Sequence, residues 1–159
     1  MQTSSSKQPI GCIGKCTTGL SRDELDQITD NINKTLAHPR GREIFRKYLK
    51  RRDLEDSLEC LNLYETCCYS IDEAKRCPHS LEPLVENAVM VREMVEDLEG
   101  VSELDLSLLQ TFNEAIDRQS RPALFDVLVH TRDSCRNFLC CVHESFKKYA
   151  SEPCPLSKK

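Results

Sequence analysis

The chain has 159 residues, 39% of them apolar and 30% charged, with only 5 glycines. That length suits one domain, which would bury roughly 68–70% of its unfolded surface and stand on core packing alone. Low glycine with high charge excludes a turn-rich sandwich or barrel, and a net charge of −4 excludes a chain built as a whole to hold DNA or RNA.

Residues 1–20 are Ser/Gly/Thr-rich without periodicity and read as a flexible N-terminal arm. They lack the apolar run of a signal peptide, which points to a cytoplasmic protein, although a mature secreted chain with a new initiator Met would look the same. Ser21-Arg22-Asp23-Glu24 is a capping box, and Leu25, Ile28, Ile32 and Leu36 continue from it as one helical stripe. His38-Pro39-Arg40-Gly41 breaks that helix. A second carries Ile44, Phe45, Tyr48 and Leu49 inward, and Asp53 is expected to cap a third with Leu54, Leu58, Leu61 and Tyr64 inward. Residues 69–80, with Cys77-Pro78, read as a loop. A helix from Leu81 to Leu98 takes Pro83 in its first turn, buries Leu84, Ala88, Val91 and Val95, and stops at Gly100. Ser102 to Arg118 reads as the next, through Leu108, Leu109, Phe112 and Ile116. The stretch from Pro122 to Ala150 fits either one long helix or two broken near Arg132-Asp133-Ser134. Residues 151–159 read as a C-terminal tail. The expectation for residues 21–150 is a single all-α domain, and no window nears the ~18–20 apolar residues of a membrane span.

Ten cysteines stand at 12, 16, 60, 67, 68, 77, 135, 140, 141 and 154. An even count suits five disulfides, yet the chain is larger than the small secreted domains that need them. No CxxC pair occurs, and CxxxC occurs only as Cys12-Ile-Gly-Lys-Cys16, so no zinc ribbon or thioredoxin-like site is expected. Cys67-Cys68 and Cys140-Cys141 lie in apolar helical surroundings, where reduced cysteine acts as a small hydrophobe. Buried thiols are therefore expected, with disulfides as the open alternative. Cys12 and Cys16 sit in a small-residue arm suited to S-acylation of an intracellular protein. Cys141 and His143 would point about 200° apart on a helix, and Cys140 with His143 reads as packing, so no nucleophile–base pair emerges. Phosphate-loop, HExxH, GxSxG and calcium-loop motifs are missing from the sequence. No metal, no cofactor and no chemistry of its own are expected. Asn33-Lys34-Thr35 is a formal glycosylation sequon that matters only in a secreted chain.

Arg40, Arg42, Arg46, Lys47, Lys50, Arg51 and Arg52 crowd thirteen residues, offset by Glu43. The plain reading is a solvated helix end whose late cations complement the helix dipole. The functional reading is a docking patch for an anionic membrane surface or an acidic protein. Phe45 and Tyr48 within the run are read as inward, so it does not suggest nucleic acid. Glu82, Glu86, Glu93, Glu96, Asp97, Glu99, Glu103 and Asp105 make an acidic pole, and such polarity would orient the domain toward a partner.

Residues Leu36 to Leu49, LAHPRGREIFRKYL, resemble the opening of the regulator-of-G-protein-signalling (RGS) domain, where the family runs H-x-x-G-x-x-x-F-x-x-F-L. Leu54 to Leu61, ending in Tyr64-Glu65, then stands at the family's acidic-Glu-Asn-hydrophobic helix start. Leu81 to Leu98 is similar to its next helix, and Glu103-Leu104-Asp105-Leu106 occupies its E-V-N-L-D turn. Leu124-Phe125-Asp126 is similar to the opening of its penultimate helix, and Ser145-Phe146-Lys147-Lys148-Tyr149 to its closing D-x-F/Y-x-R-F/Y.

The resemblance implies a multi-helix bundle that engages an active Gα subunit and speeds GTP hydrolysis by holding its switch loops. Carried over position by position, the contacts become Glu55 or Asp56, Ser57 and Asp105 for two asparagines, Cys140 for an apolar residue, Glu144 for Asp and Lys148 for Arg. Ser57 and Asp105 are expected on an exposed rim at helix starts. Ser57 cannot offer an amide's carbonyl and NH₂ together, and Asp105 charges a neutral position, so binding with weak or no acceleration is expected. The alternative, from another class, is a secreted helical protein that binds an extracellular receptor or a small apolar ligand. Its five disulfides would tie Cys12, Cys16 and Cys154 to the helices, with a glycan on Asn33.

Overall fold

The computed structural model describes residues 21–151, so Cys12, Cys16, Cys154, the arm and the tail beyond Ser151 lie outside the described residues. Among the described residues there are seven α-helices and no strand: α1 Arg22–Ile28, α2 Ile32–Ala37, α3 Pro39–Arg51, α4 Glu55–Arg76, α5 Glu82–Asp97, α6 Leu106–Arg118 and α7 Arg121–Ser151. The all-α expectation holds. The chain forms two compact units, one from the residues up to Leu58 with those from Leu139 onward, the other from Glu59–Phe138.

In the first unit the capping box forms as read, with Ser21 Oγ accepting from the Glu24 amide at 3.1 Å and Glu24 Oε1 accepting from the Ser21 amide at 2.8 Å. The single helical stripe divides, however, into α1 and α2. Thr29 turns its hydroxyl back to the Leu25 carbonyl at 2.8 Å, and Asn31 accepts from the Lys34 amide at 2.9 Å. Side chains of this kind offer the backbone an alternative to helix propagation. Leu25, Ile32 and Leu36 stay buried on both sides of the break.

His38 caps α3 by accepting from the Arg40 amide at 3.1 Å, with Pro39 in the first turn. Gly41 is required by close approach, because a Cβ there would meet the Thr35 carbonyl oxygen of α2 at 2.5 Å. Ile44, Phe45, Tyr48 and Leu49 are all buried, as their spacing predicts. Asp53 is not the cap of α4. It lies at φ 58°, with its amide donating to the Lys50 carbonyl at 3.1 Å and the Leu54 amide to the Leu49 carbonyl at 3.0 Å. That is a Schellman motif closing α3, with Asp where Gly is usual. Leu54 consequently sits outside the core, at 36% exposure.

In the second unit α4 runs on through residues 69–76, where a loop was expected. Its buried line passes through Cys60, Leu63, Cys67, Ser70, Ile71 and Ala74. Cysteine and serine carry a helical period that an apolar-only pattern misses. Arg121 closes the end of α4, its guanidinium donating to the carbonyls of Ala74 (2.6 Å), Ser80 (2.7 Å) and Cys77 (3.2 Å). Leu84, Ala88, Val91 and Val95 of α5 are buried as expected, and α5 packs on α6. α6 begins at Leu106 instead of Ser102 because Asp105 caps it, accepting from the Leu108 amide at 3.1 Å. Of the two possibilities for the last segment, the single helix forms. Arg132 and Arg136 both reach Asp133, at 3.1 and 3.4 Å, and satisfy the polar triplet along the helix itself.

Two substitutions should move stability in opposite directions. Gly41→Ala forces α2 and α3 apart and is expected to cost about 1–3 kcal/mol. Asp53→Gly relieves the left-handed backbone and is expected to add about 0.5–1 kcal/mol. Urea titration of each variant reads both signs.

Candidate partner-binding surface

The first unit is closed by rings. Phe45 and Tyr48 of α3 meet Phe146 of α7 at centroid distances of 4.8 and 5.4 Å, and Tyr48 meets Tyr149 at 5.3 Å. His143 joins the cluster, 5.8 Å from Phe45 and 5.5 Å from Phe146. Its Nε2 lies 2.7 Å from Thr35 Oγ1, and the Thr35 hydroxyl donates to the Ile28 carbonyl at 2.8 Å. With that one hydroxyl proton committed, Nε2–H must donate to Thr35, so Nε2 carries a proton. Burial pushes the His143 pKa down to about 4. Outside the cluster, Lys147 pairs with Asp30 at 3.5 Å and holds that carboxylate below its usual range, with Lys34 adding to the effect. The Arg22 guanidinium donates to the Ser151 carbonyl, fastening α1 to the end of α7.

This packing sets what α7 presents. Leu139, His143, Phe146 and Ala150 face inward, while Cys140, Glu144 and Lys148 recur four residues apart as an exposed stripe. Cys140 and Cys141 are therefore solvent-facing, contrary to the expectation of buried thiols. Cys140 lies about a quarter-turn from the inward line of the helix and Cys141 nearly opposite it. His143 lies on the inward line instead, with its Nε2 committed to Thr35. Glu55 and Asp56 are exposed in the first turn of α4. Ser57 is not on an exposed rim: it is 4% exposed. Asp105 belongs to the second unit, exposed at the start of α6 and engaged as its cap.

None of the seven described cysteines is in a disulfide. Cys60, Cys67 and Cys135 are buried in the second unit, where the Cys60 thiol approaches the Cys135 carbonyl at 3.7 Å. The adjoining Cys60 thiol, with burial, pushes the Cys135 thiol pKa up, and burial does the same to Cys67. Both are held as inert thiols. In α3 the cations divide. Arg42 donates to the Leu36 carbonyl at 2.7 Å and Arg52 lies over the Tyr48 ring at 5.4 Å, both contacts that finish the fold. Arg40, Lys47, Lys50 and Arg51 are exposed, with Lys47 3.9 Å from Glu43.

Sequence reasoning missed His143 with Thr35, Asp30 with Lys147, and Arg121 at the end of α4. Each pairs groups far apart in the chain, and no local pattern marks them. A cavity of about 230 Å³ lies in the second unit between Glu59, Asn62, Met94, Asp97 and Leu98. Among the described residues no group of His, Cys, Asp and Glu gathers in a form that could hold a metal, and no helix is long and apolar enough to cross a membrane. No protein-family model, curated protein or solved structure matches the chain.

Folded His143 takes up its proton near pH 4, whereas an ordinary histidine does so near 6.5. Between those values the unfolded state binds more protons, so stability falls as pH falls, by up to about 1.4 kcal/mol per unit. His143→Leu should flatten that slope in urea titrations at pH 4.5 to 7, whatever it does to stability at pH 7. Ser57→Asn, which enlarges a buried side chain, is expected to cost about 1–3 kcal/mol. Asp105→Asn keeps a capping side chain and should change stability by less than about 0.5 kcal/mol.

Proposed function

We propose that the chain is an RGS-like helical domain that works by binding another protein, with an active Gα subunit as its leading partner and little or no acceleration of GTP hydrolysis. The observation that supports this reading is the meeting of the two motifs that carry the resemblance. His38, Gly41, Phe45, Tyr48 and Leu49 of the opening motif each have a structural task, and Phe45 and Tyr48 pack on Phe146 and Tyr149 of the closing motif. The pattern therefore belongs to one packed unit and not to two unrelated helices.

Glu55, Asp56, Cys140, Glu144 and Lys148 are the exposed groups of that unit offered to a partner. Buried Ser57 presents no amide to orient the Gα glutamine, which is the physical ground for weak acceleration. Disulfide-free burial of Cys60, Cys67 and Cys135 favours this reading over a secreted, bridged one.

The test is binding of the full chain to Gα subunits in two states, with GDP alone and with GDP plus aluminium fluoride as a transition-state mimic. Saturable binding at least about tenfold tighter in the second state is expected, weakened about tenfold or more by Glu144→Lys with Lys148→Glu. Single-turnover hydrolysis should stay within about twofold of the intrinsic rate. If no Gα class prefers the mimic, the partner assignment fails. Thiol titration of protein from its native source should count close to all 10 cysteines.

A further inference from the structure

α3 divides its surface by charge more sharply than its composition requires. At about 100° per residue, Gly41, Ile44, Phe45, Tyr48 and Leu49 fill an arc of about 140°, and all are buried. Arg40, Glu43, Arg46, Lys47, Lys50 and Arg51 fill a facing arc of about the same width. Five of those six are cationic. Arg40, Lys47, Lys50 and Arg51 are exposed. From Arg40 to Arg51 the row is about 16 Å long. Leu54, 36% exposed, is held at its tip by the Leu49 carbonyl.

We propose that this outer face of α3, with Leu54 at its end, docks the protein on an anionic lipid surface. The face holds none of the groups offered to Gα. The chain carries a net charge of −4, but at about 0.1 M salt charges beyond about 10 Å are screened, so a membrane meets the local face and not the total. The face is convex, a helix flank carrying long cationic side chains around one acid of the helix, Glu43, with Asp53 exposed beside Leu54 at its end. A plane of mobile phosphate headgroups adapts to such a row. A folded acidic protein would need a fitted pocket with buried anchors, as protein hot spots do. The exposed leucine beside Arg51 and Arg52 suits the boundary between headgroup and acyl chain. Each cation near such a surface is worth about fivefold in partition.

The experiment is co-sedimentation of the full, unlipidated chain with phosphatidylcholine vesicles, with and without about 30 mol% phosphatidylserine. Binding is expected only with phosphatidylserine, at about 50 mM salt, and lost at about 500 mM. Lys47→Glu with Lys50→Glu should weaken it at least about tenfold, and Leu54→Ser several-fold. Glu43→Lys, which completes the cationic arc, should strengthen it about fivefold or more, so the idea stays testable if the double reversal misfolds. Lys75→Glu, a single such reversal on α4 in the second unit, should leave binding as it was. Failure to bind phosphatidylserine vesicles, indifference to both α3 variants, or equal loss with Lys75→Glu would each overturn the proposal. Loss of Gα binding in the double reversal with unchanged vesicle binding would do so too, assigning the face to protein instead.

Discussion

The contact on which the first unit depends is aromatic: Phe45 and Tyr48 of α3 against Phe146 and Tyr149 of α7. These rings come from opposite ends of the described chain, so their meeting closes a long loop and must offset its entropy. Ring pairs at these distances contribute beyond the area they bury. Other features of the unit follow from holding α3 at that distance from α7. Gly41 lets α2 approach the same face of α3 one turn before Phe45, and Thr35 of α2 is then placed to accept from His143. A buried imidazole is tolerated there because its donor is satisfied and its charge is suppressed.

The same packing decides what faces solvent. Once Leu139, His143, Phe146 and Ala150 turn inward, Cys140, Glu144 and Lys148 have nowhere else to point. Once five residues of α3 are committed to the core, its cations collect on the opposite flank. Stability and surface charge in this unit are thus two results of one helical register, and a substitution that rotated α3 would disturb both. Arg42, between the two arcs, donates to the Leu36 carbonyl and Arg52 covers the Tyr48 ring, so both belong more to the fold than to any partner.

The second unit is held differently. Its core is built from small and medium side chains along α4, α5 and α7, with Phe112 its one fully buried ring among the described residues. Cys60, Cys67 and Cys135 serve there as compact hydrophobes at helical spacing. Arg121 supplies the polar closure that rings supply elsewhere, gathering three carbonyls where α4 ends. A guanidinium suits that task because its several donors lie in one rigid plane.

Where hydrophobic period and cap chemistry agree, the order of residues alone was enough. The box at Ser21, the inward faces of α3 and α5, and the all-α class are local consequences of spacing and hydrogen-bonding capacity. Where a residue has two local uses, sequence misled. Asp53 can cap a following helix or take a left-handed turn, and the chain used the turn because the Leu49 and Lys50 carbonyls at the end of α3 needed donors. Asn31 could continue a helix or start one, and it started α2. Ser70, Ile71 and Ala74 on α4 read as part of a loop until burial made them core. The exposed contact candidates on α7 were legible as residue types but not as a stripe. Which face of α7 is inward depends on rings brought from α3, and only the folded chain sets that distance.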